Sequence, residues 1–241
     1  MSISLKRVRA IFVKDYKEFS RNYAISIMLI FPILFAFLFK GQDLSSIGSL
    51  GLILGLVLNI SFTIVTSFTQ ACLIAEEKER NTLRSLMMTP ATTMDVLMGK
   101  SALVFVMSAA VLAIVTYIFG YEPASIWAFV AAIIFSIFLY TAVGTICGLF
   151  SKTLLEASLS IIPVLFVFTA APYGGALGQD YPIFKVLDYV PSSQLVHLLG
   201  ISNTGGYTTG DLLKPLLIIL AWTVVLTIVS VILYQRRLKD E

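Results

Sequence analysis

Gly99-Lys100-Ser101 is the tripeptide in this chain that most looks able to do chemistry, because it ends like a nucleotide-binding loop. Such a loop needs a glycine five residues before the Gly-Lys pair and a strand ahead of it, so that backbone N–H groups cradle the phosphates. Met94 stands where that glycine belongs, and no strand precedes it, so the chain is not expected to bind ATP itself. His197 is the only histidine. It lies on a short apolar piece with no cysteine or second histidine nearby, which reads as a packed or wet interfacial side chain rather than a base or metal ligand. Serine, cysteine and aspartate nucleophiles lack a partner base, so hydrolysis has no support. Cys72 and Cys147 sit far apart inside apolar runs and read as small core residues. The expected catalytic residues, metal ligands and cofactors of this chain are therefore none.

Two polar constellations remain. The first is Glu76 to Lys100, EEKERNTLRSLMMTPATTMDVLMGK, the only long polar interruption in an otherwise apolar sequence. Glu76 and Glu77 can pair with Arg80 along a helix. Leu83, Leu86 and Met87 then share one face, the spacing of an amphipathic element lying on something apolar. Thr89-Pro90 ends that piece, because the residue before proline is pushed out of the helical region. Thr92 with Asp95 three residues on is a capping-box pattern for the next helix. The bland reading of the whole stretch is a solvated loop between two spans. The second constellation is a stripe, Asn59, Thr63, Ser67 and Gln70, spaced to fall on one side of a helix, with Tyr140 in a later apolar run. Interhelical hydrogen bonding is the structural reading of the stripe. A path or a subunit interface is the functional one, and the two are compatible.

The elements that carry these residues are membrane spans. The chain is 58% hydrophobic and only 13% charged over 241 residues, with mean hydropathy +0.91; soluble domains are roughly a quarter charged. The length accommodates about six spans of roughly 20 residues. The expected fold is an all-α integral membrane protein and a single domain over residues 1–241. An amphipathic interface helix occupies residues 1–22, where Leu5, Val8, Phe12, Tyr16 and Phe19 recur at helical spacing among Lys6, Arg7, Arg9, Lys14 and Lys17. A cleaved signal peptide competes, but Asp15, Glu18 and the lack of a small-residue cleavage site disfavour it. Six spans follow at about Tyr23–Phe39, Ile47–Ala75, Val96–Phe119, Ser125–Phe150, Ala157–Ala171 and Lys214–Tyr234. A cytoplasmic segment fills 76–94. An external segment, 173–212, holds two apolar pieces too short to span, Tyr181–Val190 and Ser192–Leu199, which read as re-entrant or interfacial helices. Gly51–Gly55 and Gly144–Gly148 are pairs that let helices approach closely. Lysine and arginine concentrate on the side shared by both termini and by the 76–94 segment, which the positive-inside rule makes cytoplasmic. Ser151 to Glu156, with Lys152, is a short turn on that same side. The net charge of +3 gives no reason to expect nucleic acid as a partner.

The stretch Glu76 to Lys100 resembles the signature of the ABC type-2 export permeases. In that family, acidic and basic residues precede a Thr-Leu pair, a leucine-rich helix, a proline and a Gly-Lys that opens the next span. Glu76, Glu77, Arg80, Thr82, Leu83, Leu86, Pro90, Gly99 and Lys100 match it, while Asn81 replaces the usual glycine. The order of apolar segments is similar as well, including the interface helix and the broken hairpin, with Pro191, before the last span. The resemblance implies a permease subunit of the cell membrane. A separate ATP-binding subunit would bind the ATP and magnesium and engage Glu76, Glu77, Arg80, Thr82, Leu83, Leu86 and Pro90, with Lys152 and Glu156 as a second contact. A second permease copy, identical or related, and membrane lipid would be the other partners. Asn59, Thr63, Ser67, Gln70 and Tyr140 are the candidates for the path or dimer interface. The apolar spans carry no ionisable residue near their middles, which counts against an ion-coupled carrier. They suit export of an amphipathic or hydrophobic molecule, such as a drug (multidrug efflux), a peptide or a lipid-like compound. Sodium efflux, known in relatives, and a non-transporting scaffold or sensor are the alternatives.

Overall fold

The computed structural model describes residues 4–40, 50–80, 92–174, 182–201 and 206–240. All regular structure among the described residues is helical. The main helices are α1 (Leu5–Arg21), α2 (Ile30–Lys40), α3 (Leu50–Glu79), α4 (Thr93–Phe119), α5 (Ile126–Phe150), α6 (Leu154–Ala170), α7 (Pro191–Gly200) and α8 (Thr209–Asp240). Among the described residues, five segments are long and apolar enough to cross a membrane: Leu50–Glu79, Thr93–Phe119, Ile126–Phe150, Leu154–Tyr173 and Thr209–Arg237. The first apolar segment is shorter and irregular. One helical turn, Tyr23–Ser26, and a 3-10 turn, Ile27–Leu29, lead into α2. Pro32 has no N–H to offer the carbonyl of Met28, and the chain tightens just ahead of it.

Helix boundaries follow from local chemistry. Thr92 caps α4 through both bonds of the capping box: the Asp95 N–H donates to Thr92 Oγ1 at 3.1 Å, and the Thr92 N–H donates to Asp95 Oδ2 at 2.9 Å. The helix ends at Gly120, whose φ of +61° is the left-handed conformation that glycine adopts without strain. Thr153 caps α6 by accepting from the Glu156 N–H. Pro191 begins α7, with the 3-10 piece Pro182–Tyr189 before it. That is the broken pair of short helices the sequence predicts around Pro191.

α3 is the centre of the bundle. It packs against α2, α4, α5, α6 and α7, and 72% of its apolar window is buried, against 17% for Leu154–Tyr173. The main core gathers Leu54, Leu58 and Phe62 of α3 with Leu112, Leu139 and Leu199 from its neighbours. The glycine pairs are where neighbours come closest. A Cβ on Gly144 would lie 2.3 Å from the Ser67 carbonyl oxygen, and one on Gly148 would lie 2.7 Å from that of Ala71. Gly51 and Gly55 do the same for α7, meeting the Leu199 carbonyl and the Val196 side chain. α7 is thereby seated on α3, and the Tyr121 hydroxyl donates to Leu199 O at 2.7 Å to fix its end.

α1 packs along α4. The side buried against α4 is Ile11, Asp15 and Phe19, while Leu5 and Tyr16 are exposed. An acid thus shares the buried side with Ile11 and Phe19. α3 also runs past the predicted end at Ala75, so Glu76 and Glu77 form the last turn of the span rather than the start of a separate surface helix.

Gly144→Ala should cost about 1–3 kcal/mol, the scale of overpacking a close contact. It should lower the thermal midpoint of the detergent-purified protein. Gly206→Ala, with open space around its Cβ, should leave that midpoint in place.

Candidate functional site

At the end of the bundle that holds both termini, Asp15 (0% exposed), Lys100 (1%) and Glu77 (3%) are taken almost wholly out of solvent as one cluster. They come from α1, α4 and α3. The Lys100 ammonium is the hub. It lies 3.2 Å from Asp15 Oδ2, 3.0 Å from Glu77 Oε1 and 3.0 Å from the Leu73 carbonyl oxygen. An ammonium has three protons to donate, and these three acceptors match that number. Lys14, at the rim, adds a second cation 3.0 Å from Glu77 Oε1 and 3.6 Å from each of Asp15 Oδ1 and Glu18 Oε2. Two acids and two bases thus balance in a low-dielectric setting, where an unpaired charge would be costly. Burial pushes the Asp15 carboxyl above the usual carboxylate range, although Lys100 and then Lys14 pull against it. Burial also draws the Lys14 ammonium down, but Glu77 first, then Asp15 and Glu18, outweigh this and leave it raised.

A second clamp of opposite polarity lies five residues earlier on α4. Asp95, fully buried at the start of α4, accepts from the Ser4 N–H at 2.9 Å and pairs with Arg7 Nε at 2.9 Å, while its other role is the Thr92 cap. Gly99 sits between the clamps, so close to α1 that a Cβ there would meet Ile11 Cγ2 at 2.7 Å. Acid on α4 with base on α1, then base on α4 with acid on α1, fixes both the position and the rotation of α1.

Three further charges of this end, Lys78, Glu79 and Arg237, bind backbone groups at helix ends. Lys78 Nζ donates to the carbonyls of Leu149 and Ser151, and Arg237 reaches the Leu149 carbonyl while lying 5.0 Å over the Phe150 ring. Cations at the C-terminus of α5 satisfy carbonyls the helix leaves open. Glu79 Oε2 accepts from the Leu154 N–H at 2.8 Å.

Of the residues singled out by sequence, Arg80 is mostly exposed and pairs with Glu76 at 2.7 Å, as the spacing predicts. Glu77, expected beside them at a partner surface, is turned inward onto Lys100 and Lys14. Thr82, Leu83, Leu86 and Pro90 lie outside the described residues. Lys152 is exposed, and Glu156 Oε2 accepts from its N–H at 2.7 Å, so this pair builds the cap of α6. Asn59, Thr63, Ser67, Gln70 and Tyr140 are all buried between α3 and α5 of the same chain. The Ser67 hydroxyl donates to Tyr140 O (2.7 Å), Gln70 Nε2 to Thr145 Oγ1 (3.1 Å) and the Tyr140 hydroxyl to Asn59 Oδ1 (3.2 Å). The Tyr140 ring stacks on Phe62, with centroids 5.1 Å apart. They form the interhelical hydrogen-bonding set. The stripe also coincides with a π-helical stretch, Phe62–Phe68, that its residue types did not announce. Sequence reasoning missed Asp15, Lys14 and Lys100 as a unit. The signal was present: a lysine inside the first turns of an apolar span, and an acid on the apolar side of a basic helix, both need partners.

A closely packed bundle in which five of the described segments are long and apolar enough to cross a membrane has the build of a multi-pass membrane protein. The family model described as ABC-2 family transporter protein matches residues 40–232, and the chain belongs to that family as a membrane permease. The match takes in Glu77 and Lys100 and leaves α1, with Asp15, outside it. No curated protein matches the chain.

Breaking the hub should be expensive and repairable. Lys100→Met or Asp15→Asn alone should each cost about 3–5 kcal/mol, because each strands a buried charge. The double variant should recover much of that loss in a double-mutant cycle of detergent stability. A carboxyl with a raised folded pKa binds its proton more tightly when folded, so ionising it costs stability as pH rises through that value. Lys100→Met removes the largest influence holding Asp15 down. Its deficit against wild type should therefore shrink as the pH is lowered toward about 5.

Proposed function

We propose that this chain is the membrane subunit of an ATP-driven exporter, in which two permease copies pair and a separate ATP-binding subunit binds the nucleotide and magnesium. Tyr23–Lys40 serves as the first of six spans. Both termini and the Glu76–Lys100 stretch lie on the cytoplasmic side, where lysine and arginine concentrate. The ATPase engages the stretch through exposed Arg80 and the following Thr82, Leu83, Leu86 and Pro90, with Lys152 and Glu156 beside it.

The observation that carries this reading is the unbroken run of α3. One helix leads from the point where the polar stretch begins, through a buried polar middle, to the far end of the bundle. Its cytoplasmic turn is tied by Glu77 and Lys100 to α4, which begins where the same stretch ends. A push on the stretch is therefore delivered to α3, α4 and α1 together. The middle of α3 is suited to switch. π-Helical backbone is rare and costly over several residues, and it recurs at functional sites. Here it is flanked by Asn59 Nδ2, Thr69 Oγ1 and Gln70 Oε1, which find no hydrogen-bond partner among the described residues. A partly satisfied polar set is one that another arrangement can satisfy differently. Opening of the α3–α5 seam would present these groups within apolar walls. That combination fits an amphipathic cargo, whether drug, peptide or lipid-like compound.

The test is co-purification in mild detergent. An ATP-binding subunit should come down with the tagged chain, and Arg80→Glu with Leu83→Asp should remove most of it and most of export. Glu77 is left intact, because changing it would disturb the buried hub instead. An ATPase that stays bound to this variant, with export unchanged, would sink the coupling assignment. A chain that purifies alone under all mild conditions would favour a scaffold.

A further inference from the structure

At the end of the bundle away from the ion cluster, α4 and α5 part below the Gly120 turn and leave a groove of about 670 Å³. That volume lies within the roughly 300–1,000 Å³ range of small-molecule sites. Its shape has a sequence cause. Ala109 and Ala113 stand one turn apart on α4, and their missing side chains hollow that wall opposite Phe129 and Ile133 of α5. The floor is firm: Leu112 and Ile137 are buried, and Tyr121 is pinned to α7 through Leu199 O. The wall seeks no polar partner, since the Thr116 hydroxyl already donates to Leu112 O at 2.8 Å.

The groove extends along α4 from Phe105 to Gly120, about 22 Å at 1.5 Å per residue. Half of a bilayer's hydrocarbon core is about 15 Å deep, so the groove covers the depth of one leaflet and reaches the headgroup level. There it meets a single charged lining residue, Glu122. This side chain is exposed and makes no ion pair among the described residues. Tyr117 (86% exposed) and Val130 stand on the rims, where a straight partner helix would meet them before the floor.

We infer that this groove holds one acyl chain of a membrane lipid from the leaflet facing away from the termini, and that Glu122 selects a lipid with a primary-amine headgroup. The chain fills the dry hollow at hydrocarbon depth, where apolar burial against fixed walls replaces looser contact with neighbouring lipid. The ammonium sits at the carboxylate, in the partly wet zone where such a pair is worth a modest preference rather than tight binding. A zwitterionic lipid whose amine is trimethylated offers the same chain but no N–H to donate, and an anionic lipid is repelled by the same residue. This inference needs only the membrane placement of α4 and α5. It holds or fails independently of the cargo and of the ATPase.

The full chain in detergent, titrated with phosphatidylethanolamine, phosphatidylcholine or phosphatidylglycerol of identical acyl chains and read by native mass spectrometry, tests it. Phosphatidylethanolamine should bind roughly two- to fivefold more tightly than phosphatidylcholine, the range of one partly exposed ion pair, and phosphatidylglycerol should bind most weakly. Glu122→Gln should bring phosphatidylethanolamine down to the phosphatidylcholine level. Ala113→Phe, a substitution at an exposed position that fills the hollow, should weaken all three. The proposal is overturned by equal lipid retention in Ala113→Phe and wild type, which would mean unselective annular lipid. A headgroup preference that survives Glu122→Gln overturns it too, as does a dimer that Ala113→Phe dissociates, which would mean that a second copy covers the groove. Should Ala113→Phe fail to accumulate, the headgroup preference in Glu122→Gln decides alone.

Discussion

A buried charge needs a partner, and at the charged end of this bundle that requirement settles which helices meet. Lys100 lies inside the first turns of an apolar helix, where its ammonium has little water to turn to. Asp15, Glu77 and the Leu73 carbonyl supply its three acceptors from two other helices and so fix their positions. α1 buries Asp15 on the same side as Ile11 and Phe19, and α3 extends past its expected end so that Glu77 arrives at the hub. A core of leucines would tolerate many rotations of these helices. An ion cluster that must bring each buried charge to an opposite one tolerates few.

The rest of the bundle depends on close backbone approach rather than on charge. Glycines at 51, 55, 144 and 148 remove the side chains that would hold α7 and α5 away from α3. Once these backbones are close, short polar side chains can reach across: Ser67 to Tyr140 O, Gln70 to Thr145. In a membrane there is little hydrophobic drive between helices, so this pairing of small residues with hydrogen-bonding ones is what makes contact specific. The price is a polar seam with some groups unsatisfied, and it lies where α3 departs from regular α-helix.

Both regions meet in α3. Its outer part is held by glycine contacts to α7, its middle by the polar seam to α5, and its last turn by the ion cluster to α4 and α1. A disturbance at either end is carried by packed backbone rather than by a loop. The proposed coupling to an ATP-binding subunit relies on that continuity.

The sequence alone determined most of what depends on local chemistry. The apolar runs, the Thr92–Asp95 cap, the Glu76–Arg80 pair, the short helices either side of Pro191 and the family likeness were all legible, because caps, turns and hydropathy act over a few residues. The tertiary structure decided what depends on residues far apart in the chain. Asp15 and Lys100 are 85 residues apart, and nothing local says that they meet. Asp15 lies on the apolar side of α1, but its partner on α4 is set only by how the two helices dock. The inward turn of Glu77, the enclosure of Asn59, Thr63, Ser67, Gln70 and Tyr140 between helices of one chain, and the groove hollowed by Ala109 and Ala113 are likewise products of helix rotation and depth. Apolarity on every side of a membrane helix leaves both of these unspecified until the neighbours are in place.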